Sequence, residues 1–180
     1  MTDEWPTEVR NFASDDASET YAVGWALGRE FPGIGSADPG VVILLSGPLG
    51  AGKTVLVQGL ADGLDVVTKV KSPTFALEHR HGGRWDLYHF DLYRLAPGSD
   101  LDDLGLTELF DGPDIVAIEW PDRLIGADGG RDVSWPASRV AIKITIDWPI
   151  GESPESDRRN IRIEGPSVLL DLLDPKEMNR

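Results

Sequence analysis

Apolar residues recur along this chain in two periods, and the switches between them mark out its elements. Val41-Val42-Ile43-Leu44-Leu45 is a continuous apolar run, the mark of a strand buried on both faces. Ahead of it, Thr20, Val23, Trp25-Ala26-Leu27 and Phe31 fall at helical spacing behind a start signal at Asp16-Ala17-Ser18-Glu19, which predicts a helix ending near Gly28. Behind it, Val55-Leu56-Val57-Gln58-Gly59-Leu60-Ala61 opens a second helix, stopped at Asp62-Gly63-Leu64. Residues 66–70 are a short connection or strand. Residues 75–80 and 84–94 predict two hairpin arms around His81-Gly82-Gly83. In the second arm Trp85, Leu87, His89, Asp91 and Tyr93 share one side, and Asp86, Tyr88, Phe90, Leu92 and Arg94 the other.

Pro97-Gly98-Ser99 is a turn before a helical face carried by Leu101, Leu104 and Leu109. A second apolar run, Ile115-Val116-Ala117-Ile118, ends in Glu119 and is stopped by Trp120-Pro121, with a short helical segment starting at Asp122. Residues 126–138 are Gly-rich and predict a flexible loop. Val140, Ile142, Ile144 and Ile146 alternate with polar residues, giving a half-exposed strand with a partner at 160–164 and a short helix over 166–173. Residues 1–17 are polar, and the N-terminus is expected to be loose. The chain of 180 residues is one domain by length. The expected organisation is a flexible segment 1–17, an α/β domain over 18–150 and a strand–helix extension over 151–180 packed on that domain.

The stretch between the first strand and the second helix carries the chemistry. Gly47-Pro48-Leu49-Gly50-Ala51-Gly52-Lys53-Thr54 matches G-x-x-x-x-G-K-[ST] in the strand–loop–helix context that makes the match a phosphate cradle. Glycines let successive N–H groups turn inward, and the helix N-terminus adds its positive dipole end. Lys53 would reach the β- and γ-phosphates, and the Thr54 hydroxyl would hold Mg²⁺. The spacing is not a dinucleotide fingerprint, because Val55 stands where the last Gly or Ala should be. The fold this predicts is a three-layer P-loop NTPase-like domain with a mixed, mostly parallel central sheet and antiparallel hairpins.

Three further places could serve such a loop. Ser72 and Thr74 flank Pro73, where they either sense the γ-phosphate and metal or only hydrogen-bond the local backbone. Asp91 sits mid-strand among aromatics and needs a cation or donors there, from Mg²⁺ or from a neighbour such as Arg94. Glu119 at a strand's end has the form of a Walker B acid, or of a solvated strand-end carboxylate.

Composition narrows the function classes. A net charge of −14 opposes autonomous binding to nucleic acid, so any RNA would be met through a partner. The absence of cysteine excludes disulfides and thiol chemistry. His79, His81 and His89 lack zinc-motif spacing and are taken as non-metal residues. The acidic first residues do not form a signal peptide and no stretch is long and apolar enough to span a membrane, so a cytoplasmic location is expected.

Five stretches in order, GPLGAGKT at 47–54, SPTF at 72–75, HFDLYRL at 89–95, LGLTELF at 104–110 and IEWPDRL at 118–124, resemble the TsaE (YjeE) family of bacterial tRNA threonylcarbamoyladenosine synthesis. The resemblance runs from about Ser18 to about Trp148. It implies a single α/β domain that binds and hydrolyses ATP with Mg²⁺, weakly alone, and that associates with TsaB and TsaD. In that scheme TsaD modifies the adenosine beside the anticodon, tRNA is met only through the complex, and ATP hydrolysis resets it. The resemblance assigns phosphate to Lys53 within the loop Gly47, Leu49, Gly50, Ala51, Gly52, and metal to Thr54. It puts Asp91 and Glu119 near the metal and attacking water, and Ser72 and Thr74 in a switch-like segment, with Trp120 after the Walker B acid. The family pattern usually has Asp at the position of Pro48, which brings neither an N–H nor a carboxylate. No arginine finger is evident, with Arg94 and Arg123 the candidates, so a slow ATPase completed by a partner is expected. Two other readings of the loop are a small-molecule kinase, which would want a lid richer in arginine than Arg123, Arg131 and Arg139 provide, and a non-hydrolysing ATP-dependent assembly adaptor.

Overall fold

The computed structural model describes residues 7–31, 40–73, 76–83, 85–96, 109, 112–124, 140–171 and 173. Among these, the strands are β1 (Thr7–Ser14), β2 (Val41–Ser46), β3 (Glu78–His81), β4 (Leu87–Asp91), β5 (Ile115–Glu119), β6 (Val140–Asp147) and β7 (Arg159–Pro166). The helices are α1 (Ala17–Glu30), α2 (Lys53–Gly63) and α3 (Ser167–Leu170), with a 3-10 turn at Pro121–Leu124. The strands form one sheet in the order β1-β7-β6-β2-β5-β4-β3. Its centre, β6-β2-β5-β4, is parallel, and the flanking pairs β6–β7, β7–β1 and β3–β4 are antiparallel. This is the mixed α/β sheet that was expected.

The continuous apolar runs become the strands buried on both faces. Ile43 and Leu45 of β2 face a core that includes Leu27 of α1 and Leu56 and Leu60 of α2, while Val42 and Leu44 face a second core with Phe90, Ile118 and Leu124. The second hairpin arm divides as its alternation predicts, Leu87 into the first core and Tyr88, Phe90 and Leu92 into the second.

Several boundaries differ from expectation. The N-terminal stretch contains a strand: β1 pairs with β7 from Thr7↔Pro166 to Ser14↔Arg159. Its side chains gave little warning, because an edge strand is held mainly by backbone hydrogen bonds, and Val9 is left exposed while Phe12 packs on the core. Helix α1 passes through Gly28 to Glu30, because that glycine is a packing site; a Cβ there would stand 2.3 Å from the Leu60 carbonyl oxygen. Of the two readings of residues 66–70, the structure shows the connection and not the strand, with Val66 and Val70 buried. The hairpin is shorter than drawn, since β4 begins only at Leu87, where pairing with Ile115 of β5 starts. The expected turn at 97–99, the loop at 126–138 and the helix before Phe110, apart from Leu109, lie outside the described residues.

Candidate phosphate-loop site

Three parallel strands end at the same edge of the sheet. β2 runs into the glycine loop, while Asp91 of β4 lies in register with Glu119 of β5, which in turn pairs with Leu45 of β2. Ligands of open parallel sheets bind beyond such carboxyl ends.

The loop itself takes the conformation its glycines permit. Gly47, Gly50 and Gly52 have φ of 139°, 82° and 105°, a region costly for other residues. Gly47 could not carry a side chain for a second reason, as a Cβ would lie 2.1 Å from the Ile146 carbonyl oxygen. The loop delivers the chain into α2 differently from the entry to α1. The Asp16 carboxylate caps α1, accepting from the Ser18 and Glu19 N–H groups at 2.7 and 3.0 Å. Helix α2 has Gly52 as its N-cap, no side-chain cap and no acidic residue in its first turn. An 11-residue helix that leaves its first N–H groups without an anionic side chain suits an external anion.

Lys53 is 4% exposed, with Nζ donating to the carbonyls of Gly47 at 2.8 Å and Pro48 at 2.9 Å. The same ammonium lies 4.0 Å from the centroid of the Trp120 ring. Burial pushes its pKa down, while Glu119, Asp91 and Asp122 pull it back up. Pro48 therefore serves the loop through its carbonyl, which also accepts from the Ala51 N–H at 3.2 Å.

Opposite the lysine stand two nearly buried carboxylates. Glu119 Oε1 accepts from Thr54 Oγ1 at 2.8 Å and pairs with His89 Nε2 at 2.9 Å. Asp91 accepts from Ser72 Oγ at 2.9 Å and from the Tyr93 N–H at 3.1 Å. Trp120 is held at φ 61° with its N–H on the Leu45 carbonyl at 3.1 Å, and its ring meets Tyr93 at 5.0 Å between centroids.

An open cavity of about 320 Å³ lies between these groups. Of the residues singled out in the sequence, Leu49, Gly50, Gly52, Lys53, Thr54, Ser72, Asp91, Glu119 and Trp120 line it. Gly47 and Ala51 do not; they form the loop's packed side, Ala51 being fully buried. Thr74 lies outside the described residues. Val55 and Tyr93 also line the cavity, and His89 stands behind it, fully buried against Glu119. Arg94 and Arg123 do not reach the lining. His81 lies elsewhere, bonded through Nδ1 to Thr68 Oγ1 at 2.9 Å.

His89 was hidden because its importance comes from register. It stands opposite Ala117, two residues before Glu119, and only the parallel pairing of β4 with β5 brings its ring to the acid. Among the described residues no group of three or more His, Asp or Glu side chains could hold a metal ion unaided. Two carboxylates beside two hydroxyls fit Mg²⁺, which keeps waters and phosphate oxygens among its ligands.

The family model described as "Threonylcarbamoyl adenosine biosynthesis protein TsaE" matches residues 4–150. The chain belongs to the TsaE family. A TsaE of Treponema pallidum is 36% identical over 135 residues, covering 67% of this chain and 96% of that protein. A TsaE of Mycobacterium bovis is 39% identical over 148 residues, covering 75% and 83% respectively. The crystal structure of Bacillus subtilis YdiB superposes with a TM-score of 0.63 at 25% identity, over 97% of this chain and 96% of that one. The TsaE match thus begins earlier than the motifs alone suggested and stops before β7.

Proposed function

We propose that this chain binds ATP with Mg²⁺ at the 47–54 loop and hydrolyses it in support of tRNA threonylcarbamoyladenosine formation by TsaB and TsaD. The observation that carries the reading is the uncapped N-terminus of α2, with Lys53, facing Asp91 and Glu119 across one cavity. The phosphates would be held by the loop N–H groups and by Lys53, whose ammonium also donates to loop carbonyls at 2.8 and 2.9 Å. Thr54, Asp91 and Glu119 would hold Mg²⁺ directly or through water; when bound, the ion neutralises charge on the phosphates. Glu119 uses Oε1 for Thr54 and His89, so Oε2 is the atom left to accept a proton from the attacking water. Of the two neutral His89 tautomers, only the one protonated at Nε2 donates to this carboxylate, which fixes the acid's orientation. Trp120 and Tyr93, in ring contact, form one wall of the site.

The pathway reading rests on membership of the TsaE family together with this site. An acidic chain with a nucleotide cradle suits a helper ATPase better than a tRNA-binding modifier. No helix among the described residues is long and apolar enough to cross a membrane, in keeping with a proposed cytoplasmic role. The test is depletion of this protein followed by nucleoside analysis of bulk tRNA. The modified adenosine is expected to fall; an unchanged level would overturn the pathway assignment.

A further inference from the structure

The C-terminal segment beyond the family match reaches back to the phosphate loop. Arg159, the first residue of β7, lies 108 positions after Ala51, yet its Nε donates to the Ala51 carbonyl at 2.9 Å. Its Nη2 donates to the Gly50 carbonyl at 3.3 Å. The guanidinium meets three other groups: Nη1 donates to the carbonyls of Ser156 and Arg158, and Cζ lies 5.3 Å from the Trp148 ring centroid. A planar fork with several donors can hold two successive carbonyls in one orientation, which an ammonium point charge cannot.

We propose that Arg159 is a positioning residue for the phosphate loop, a role that rests on the nucleotide-binding reading of that loop. No cis peptide bond occurs among the described residues, so the carbonyl and N–H of each peptide point in opposite directions. Holding the carbonyls of Gly50 and Ala51 toward β7 turns the N–H groups of Ala51 and Gly52 to the other side of the loop. There the Ala51 N–H closes on the Pro48 carbonyl. Glycines at 50 and 52 make the loop free to flip these peptides, and Arg159 removes that freedom before an anion arrives. The brace also puts a fixed positive charge beside the loop of a chain whose net charge is −14.

Two variants separate the brace from a charge effect. Arg159→Ala removes both, and Arg159→Lys keeps the charge without the fork. Amide hydrogen exchange is read over the loop without nucleotide, ATP–Mg²⁺ affinity by calorimetry, and Tm alongside. Both variants are expected to speed exchange at the loop and to weaken ATP binding by about tenfold, with Tm shifted by less than about 4 °C. Wild-type loop exchange and affinity in Arg159→Ala would overturn the proposal. So would full rescue by Arg159→Lys, which would leave only the charge, or a large fall in Tm that accounts for the lost binding. If the wild-type chain binds no ATP, the nucleotide reading fails, and the exchange arm still shows whether Arg159 holds the loop.

Discussion

Lys53 is buried as an ammonium, and backbone carbonyls and an aromatic face stabilise it there. Its pKa in the folded chain is pushed below the ordinary 10.5, chiefly by burial. The folded state therefore binds this proton less tightly than the unfolded chain does. Lys53 costs stability at neutral pH, and the cost is relieved as pH rises through the window between its lowered value and 10.5. Lys53→Met should accordingly match or exceed the wild type in urea midpoint at neutral pH, with the difference shrinking at alkaline pH, while ATP binding is lost. A clear loss of stability in this variant would contradict the electrostatic account. On the carboxylate side, Glu119→Ala should retain ATP binding and lose turnover by about 100-fold or more if, as proposed, the acid acts on water and metal. Turnover that survives in Glu119→Ala would move the role to Asp91. His89→Ala should lower turnover and spare affinity, since His89 touches the acid and not the cavity. The loop residues were legible in sequence because their chemistry is local, a matter of glycine spacing and helix start. Glu119 was visible as a strand-end acid. Asp91 was read as mid-strand, whereas β4 ends at it because its pairing with β5 stops at Glu119. The juxtaposition of the two acids, with His89 behind them, is a product of strand pairing.

At the scale of elements, the site depends on how closely α1 and α2 pack. A Cβ on Gly24 would stand 2.0 Å from the Leu56 carbonyl oxygen, and one on Gly59 2.0 Å from that of Tyr21. The two backbones are thus in contact, and α2, with Lys53 and Thr54 at its N-terminus, is seated by that contact. Gly24→Ala and Gly59→Ala should each destabilise the fold by about 3 kcal/mol, because backbone, not a flexible side chain, must move. Denaturant midpoints check this, and near wild-type stability in both would show that the helices can separate. The Tyr21 hydroxyl donates to Asp62 across the same pair, and its pKa is pushed up to about 12. The folded state holds that proton more tightly, so its contribution is full below 10.0 and is lost as pH rises toward 12. Periodicity found both helices, yet it read Gly28 as a stop, because sequence alone does not show whether a helical glycine ends a helix or admits a neighbour.

For the whole molecule, β7 is an integral strand of the sheet. Strand β7 pairs with both β6 and β1, so removing residues 151–180 would strip β1 of its partner and open the edge of β6. Such a truncation should lose cooperative unfolding and aggregate; a soluble, cooperatively folded product would contradict the seven-stranded arrangement. The β6–β7 hairpin was legible from alternation, whereas β1 was not, since its placement depends on β7 far along the chain. The charge of −14 predicts that the chain alone will not retain tRNA in a gel shift at physiological salt, and tight autonomous binding would refute the helper role. The most direct test of the central claim is ATP turnover by the wild type and Lys53→Ala, each with and without TsaB, TsaD and tRNA. The account predicts weak turnover by the wild type alone, stimulated by the partners, and none by Lys53→Ala. Turnover absent from the wild type even with partners and tRNA, or equal in Lys53→Ala, would contradict it.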